Sequence, residues 1–246
     1  MNNHIKIMAA SLAVVAAIGS ARADFIYNNS TTDTGYRLMF ANNQIIGQEI
    51  IMDGTALGAM PYLTNFSFEY YSPNSSFSGA VQAEVKFYQN TGTPVNGYNS
   101  PGSTPFYDSG WFSLVAPLSL PGGTTVATIP FNLPELYDGP PSGAVTPLNY
   151  SIGMPADFTV VYSFQGLTGG DLIGLPSFNA PNQPTVGTNN GDYWVDSGGG
   201  NWSLVTNNAG PVAFGMQFSA TPEPSVLGLG AMGLAVMAGL IKRRKK

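Results

Sequence analysis

An all-β chain folded as a two-sheet antiparallel β-sandwich of jelly-roll type is what this sequence predicts. Three observations predict it: apolar residues alternate with a period of two, clusters of turn residues separate the alternating runs, and helical periodicity is confined to the two ends of the chain.

The alternation is plainest in four places. Phe66, Phe68 and Tyr70 interleave with Ser67, Glu69 and Tyr71. Val81, Ala83, Val85 and Phe87 interleave with Gln82, Glu84, Lys86 and Tyr88. Phe158, Val160, Tyr162 and Phe164 alternate across Thr159, Val161 and Ser163, and Phe214, Met216 and Phe218 alternate around Gly215 and Gln217. One apolar and one wetter face per run is the mark of a half-buried antiparallel strand. Further strands are expected over 36–41, 44–52, 124–131, 191–195 and 201–206, making about nine to eleven in all, enough for two packed sheets.

The breakers between them are Asp53-Gly54, Asp138-Gly139-Pro140-Pro141 and Gly198-Gly199-Gly200. Residues 88–109 and 166–188, rich in Gly, Pro, Asn and Ser, read as long surface loops, where a sandwich commonly carries binding function. Nothing divides the stretch 24–221, so it is expected to be one domain.

Composition excludes several function classes. Only 9% of the 246 residues are charged, yet 12% are aromatic, which argues for a packed core over disorder. Between residues 24 and 221 only Arg37 and Lys86 are basic, against thirteen Asp and Glu, a formal charge near −11. Nucleic acid is not an expected partner, since phosphate neutralisation needs clustered Lys and Arg. There is no cysteine, so the core alone must hold the fold. The one histidine, His4, precedes the domain, which therefore has neither a Ser-His-Asp triad, a Cys-His pair nor a His-based zinc site of its own. The domain is expected to be non-catalytic.

The two ends carry addresses. In residues 1–23, His4 and Lys6 precede an apolar run from Ile7 to Ile18, and small residues follow up to Ala21-Arg22-Ala23. This is the layout of a secretory signal peptide, too short for a stable span, with cleavage expected after Ala23 to leave Asp24 first. At the other end stand Pro222-Glu223-Pro224, then an uncharged stretch 225–241, then Lys242, Arg243, Arg244, Lys245 and Lys246. A helix over 225–241 would reach about 26 Å, the short end of what crosses a bilayer. The five cations resist translocation and would keep that end cytoplasmic, with the domain outside.

The order Pro-Glu-Pro, apolar helix and basic cluster over 222–246 resembles the PEP-CTERM sorting signal of Gram-negative bacteria. The resemblance implies export, transient anchoring in the inner membrane by the helix, and processing near Pro222–Pro224 by an exosortase-type enzyme. It also implies association with exopolysaccharide and biofilm matrix at the cell surface.

Candidate chemistry in the domain rests on few groups. Glu49, Glu69 and Glu84 lie within expected strands; two outward carboxylates on neighbouring strands would make a glycoside hydrolase or lyase pair, and otherwise they are solvated surface. Asp192 and Asp196, in a glycine-rich setting, are the candidate ligands for Ca²⁺, the one cofactor entertained, unless they only shape a turn. Trp194 and Trp202 are candidate glycan contacts, with Trp111, Tyr107 and Tyr193 as further aromatics. Their rings either stack on sugars, as in a carbohydrate-binding module, or fill the core.

Overall fold

The computed structural model describes residues 24–53, 62–115, 123–130, 154–178, 184–206 and 211–221. The expected leader with Ala21 and Ala23, and the expected sorting tail with Pro222, Glu223, Pro224 and the cations 242–246, lie outside the described residues. Among the described residues the regular structure is entirely β.

The strands in chain order are β1 Asp24–Asn29, β2 Asp33–Met39, β3 Ile45–Ile51, β4 Tyr62–Ser72, β5 Gln82–Tyr88, β6 Pro94–Val95, β7 Tyr98–Asn99 and β8 Pro105–Asp108. They continue as β9 Phe112–Ser113, β10 Gly123–Pro130, β11 Asp157–Gln165, β12 Gly174–Phe178, β13 Thr188–Asn189, β14 Tyr193–Asp196, β15 Trp202–Val205 and β16 Met216–Thr221. One sheet runs β1-β16-β4-β12-β2, with β10 on the other edge of β4. The second runs β15-β14-β3-β11-β5-β8, with β13 on β3 and β9 on β5; β6 and β7 form a separate ribbon. Neighbouring strands are antiparallel throughout.

The alternating residues explain why the sheets meet. Phe66 and Phe218 of the first sheet face Phe87 and Phe158 of the second. Ring centroids stand 5.3 Å apart for Phe66–Phe87, 5.5 Å for Phe87–Phe218 and 5.4 Å for Phe158–Phe218. Phe68 meets Tyr162 at 5.2 Å. All of these side chains are buried. Tilted and edge-on pairs at such separations add about 0.5–1.5 kcal/mol each beyond the burial itself.

Three expectations are corrected. The stretch 166–188 is not simply a surface loop: every residue of β12 is buried, and the strand bridges β4 and β2. Its sequence, Gly-Leu-Pro-Ser-Phe, does not alternate because both of its faces are covered. Likewise β11 is buried on both faces, Thr159, Val161 and Ser163 included, instead of showing one wet side. It lies between β3 and β5, and the chain beyond β5 turns back over its outer face, where the Thr159 hydroxyl donates to Asn90 Oδ1 at 2.7 Å. Residues 88–109, expected as a loop, therefore hold three short strands and part of the second sheet's cover.

Candidate functional site

Two hairpins define a cleft beside the outer face of the second sheet. The first is the β6–β7 ribbon. Val95 and Tyr98 are register partners across Asn96-Gly97, whose φ angles are 53° and 89°. A two-residue turn with both centres left-handed matches the twist of a tight hairpin, and Asn-Gly is the pair that adopts it with least strain. Its base is tied by Gly92 N–H to Ser100 O at 2.9 Å and by Gly102 N–H to Gln89 O at 2.8 Å. A side chain at Gly92 would collide with Ser100 Oγ at 2.1 Å and Pro101 O at 2.8 Å, so the close approach of the two legs needs glycine there.

The second hairpin joins β14 to β15. Gly198, Gly199 and Gly200 all have positive φ, and the Asp196 carboxylate gathers them. Gly198 N–H donates to Oδ1 at 2.8 Å and Gly200 N–H to Oδ2 at 3.1 Å. Asn201 Nδ2 closes the turn on Gly198 O at 2.7 Å. A run of glycine with an Asp at its entrance is thus a folded turn, not a slack linker.

Between these hairpins lies a cleft of about 330 Å³, at the small end of the range for small-molecule sites. Thr93, Val95 and Ser100 line one side; Ser197, Gly200, Asn201, Trp202 and Ser203 line the other. Trp202 is half-buried, its ring edge-on to Tyr88 at 5.6 Å, and its indole N–H has no hydrogen-bond partner. The lining therefore offers hydroxyls, an amide and an aromatic surface, with no charged side chain.

The structure separates the two candidate tryptophans. Trp194 is 1% exposed, opposite Gly47 in the second sheet, so its ring is closed to stacking. Trp202 alone of the pair reaches the cleft. Trp111 is 38% exposed but stands on the β8–β9 connection, and Tyr107 is buried in the core cluster.

The candidate cation ligands, Asp192 and Asp196, each have neighbours of their own. Both carboxylate oxygens of Asp196 accept backbone N–H groups of its own turn. Asp192 lies by Tyr98, whose hydroxyl is raised above its ordinary value by burial and then by the Asp192 charge. Among the described residues no group of three or more carboxylates gathers to hold a metal.

The three glutamates do not form a catalytic pair. Glu69 is on β4 in one sheet and Glu84 on β5 in the other, so the neighbouring strands that such a pair would need are not these two. Glu49 and Glu84 share the second sheet but flank β11 opposite Thr159 and Ser163. Two strand spacings and four residues of rise put their backbones roughly 16 Å apart, beyond the about 5–9.5 Å that glycosidase carboxylates use. Each has its own setting. Glu49 is 8% exposed with Oε2 unpaired, and burial raises its carboxyl against the pull of Asn190. Burial pushes Glu69 up to about 7, with the Asp33 charge adding and Arg37 opposing. Glu84 holds Lys86 at 3.0 Å.

Sequence reasoning singled out Trp202 but not Thr93, Val95, Ser100, Ser197, Asn201 or Ser203. The signal that marks the first hairpin, Asn96-Gly97 between Val95 and Tyr98, was present in the sequence. Comparison with protein families, curated proteins and solved structures finds no match to this chain.

Proposed function

We propose that this chain is an exported, non-catalytic protein of the cell envelope or extracellular matrix, sorted by its C-terminal segment and in contact with exopolysaccharide. On this reading residues 1–23 direct export. Residues 222–246 hold the chain in the inner membrane until an exosortase-type enzyme cuts near Pro222-Glu223-Pro224. The domain between them, a jelly-roll-like sandwich, remains outside.

The observation that carries the glycan contact is the uncharged cleft at Trp202. Sugars present hydroxyls together with flat, weakly apolar ring faces. Trp202 supplies an aromatic surface, and Thr93, Ser100, Ser197, Asn201 and Ser203 supply short polar groups at its margin. The wide separation of Glu49, Glu69 and Glu84 favours a binding module over a hydrolase or lyase.

Two experiments test the two halves. Peptide mapping of the protein from envelope preparations is expected to find the residues beyond Pro224 missing, and recovery of peptides ending at Lys246 contradicts sorting. A binding screen of the protein against polysaccharides, with and without Ca²⁺, is expected to give saturable binding without Ca²⁺. No binding in either condition contradicts the glycan contact.

A further inference from the structure

We infer that the cleft at Trp202 takes an uncharged polysaccharide and rejects chains built of uronic acids or bearing sulfate or phosphate esters. The inference rests on the glycan-contact reading above and concerns which glycans that site admits.

The argument begins with where the cations are. Arg37 and Lys86 are the only basic side chains between residues 24 and 221. Arg37 lies on β2 in the first sheet and grips Asp33 with both ends of its guanidinium, at 2.7 and 2.5 Å, while its plane sits 5.0 Å from the centre of the Tyr71 ring. Lys86 lies on β5 in the second sheet, between Glu84 at 3.0 Å and Asp108 at 3.4 Å. Each cation is thus occupied by carboxylates of the domain, and neither lines the cleft.

What stands near the cleft has the opposite sign. Asp196 anchors the turn that forms one wall, and Asp192, four residues before it, lies beside Tyr98 of the facing hairpin; Lys86, whose charge reaches Tyr88 next to Trp202, is already held by its two carboxylates. With the whole domain near −11, an anionic chain approaching the cleft meets repulsion at close range and finds no guanidinium or ammonium to bind its carboxylates or esters. Recognition of such groups relies on charge-assisted hydrogen bonds from Arg or Lys. A neutral sugar has no such requirement. Its hydroxyls both donate and accept, as do those of Thr93, Ser100, Ser197 and Ser203, and the Asn201 side chain offers both functions beside them.

The test uses the full chain in a detergent without a sugar headgroup, in EDTA and at low salt. Dextran and a galactomannan are compared with alginate and heparin. Binding to at least one neutral chain, with at least about tenfold weaker binding of both anionic chains, is the expected result. Trp202→Ala is expected to weaken the neutral interaction at least about tenfold, and Trp202→Phe, which keeps a ring, less. Ser203→Arg places a cation at the cleft and is expected to bring alginate binding up by about tenfold; it tests the charge argument even where Trp202→Ala fails to fold. Anionic chains bound in EDTA as tightly as neutral ones overturn the inference while leaving the glycan contact standing. No polysaccharide bound at all overturns the contact and the inference with it.

Discussion

Gln48 lies on the core side of β3, opposite Val160, where composition alone would place an aliphatic residue. Its amide reaches the segment that leads into β16: Nε2 donates to Val212 O, and Oε1 accepts from Phe214 N–H at 2.7 Å. Gln48→Leu would leave both backbone groups buried and unpaired, so a loss of about 2–4 kcal/mol is expected by urea unfolding. A loss below about 0.5 kcal/mol would show that water replaces the amide. Glu69 gives the fold a pH dependence of its own. Its carboxyl titrates near 7 in the folded chain against 4.5 ordinarily, because burial disfavours the anion. The native state thus holds a proton that the unfolded chain has released, and stability falls as pH rises from about 4.5 to about 7. Glu69→Gln is expected to flatten that decline and to gain about 1–2 kcal/mol at pH 8, after allowance for its partial exposure. Parallel pH profiles for the two proteins contradict the assignment. Neither residue's setting was legible, because a strand pattern shows which way a side chain points but not what waits across the core from Gln48 or on the strands beside Glu69.

At the level of elements, the sequence speaks clearly where one face is wet. β4 and β5 appear where Phe66 to Tyr70 and Val81 to Phe87 alternate, β10, β14 and β15 fall within two residues of the expected strands, and β16 overlaps the run 214–218 but ends three residues later. It is silent where both faces are covered. β12 has no polar row to betray its period, and the outer face of β11 is roofed by a segment that reads as loop. The β6–β7 ribbon was hidden by its own composition, since Pro, Gly and Asn mark turns more loudly than they mark two-residue strands. Its geometry makes a sharp prediction. Gly92→Val would drive a branched side chain into Ser100 and Pro101, displacing the ribbon that walls the cleft. Glycan affinity is expected to fall at least about tenfold, while the thermal midpoint drops by only a few degrees, because the ribbon is not part of either main sheet. Unchanged affinity would place the bound sugar elsewhere.

The described residues share one mixed-sheet aromatic core, without disulfides, and the first and last of the described strands, β1 and β16, lie side by side. Charge and cysteine content were legible at this scale, and so was the two-sheet architecture. The location of a site was only half legible: the sequence pointed at Trp194 and Trp202 together, and burial distinguishes them. That distinction gives the central claim its most direct measurement. The protein has three tryptophans, and each indole N–H gives its own signal in a ¹⁵N-¹H spectrum. On titration with an oligosaccharide of a neutral glycan that binds, the Trp202 signal is predicted to shift in step with occupancy while those of Trp111 and Trp194 stay in place. A shift at Trp111 with Trp202 unmoved would contradict the cleft as the site of contact.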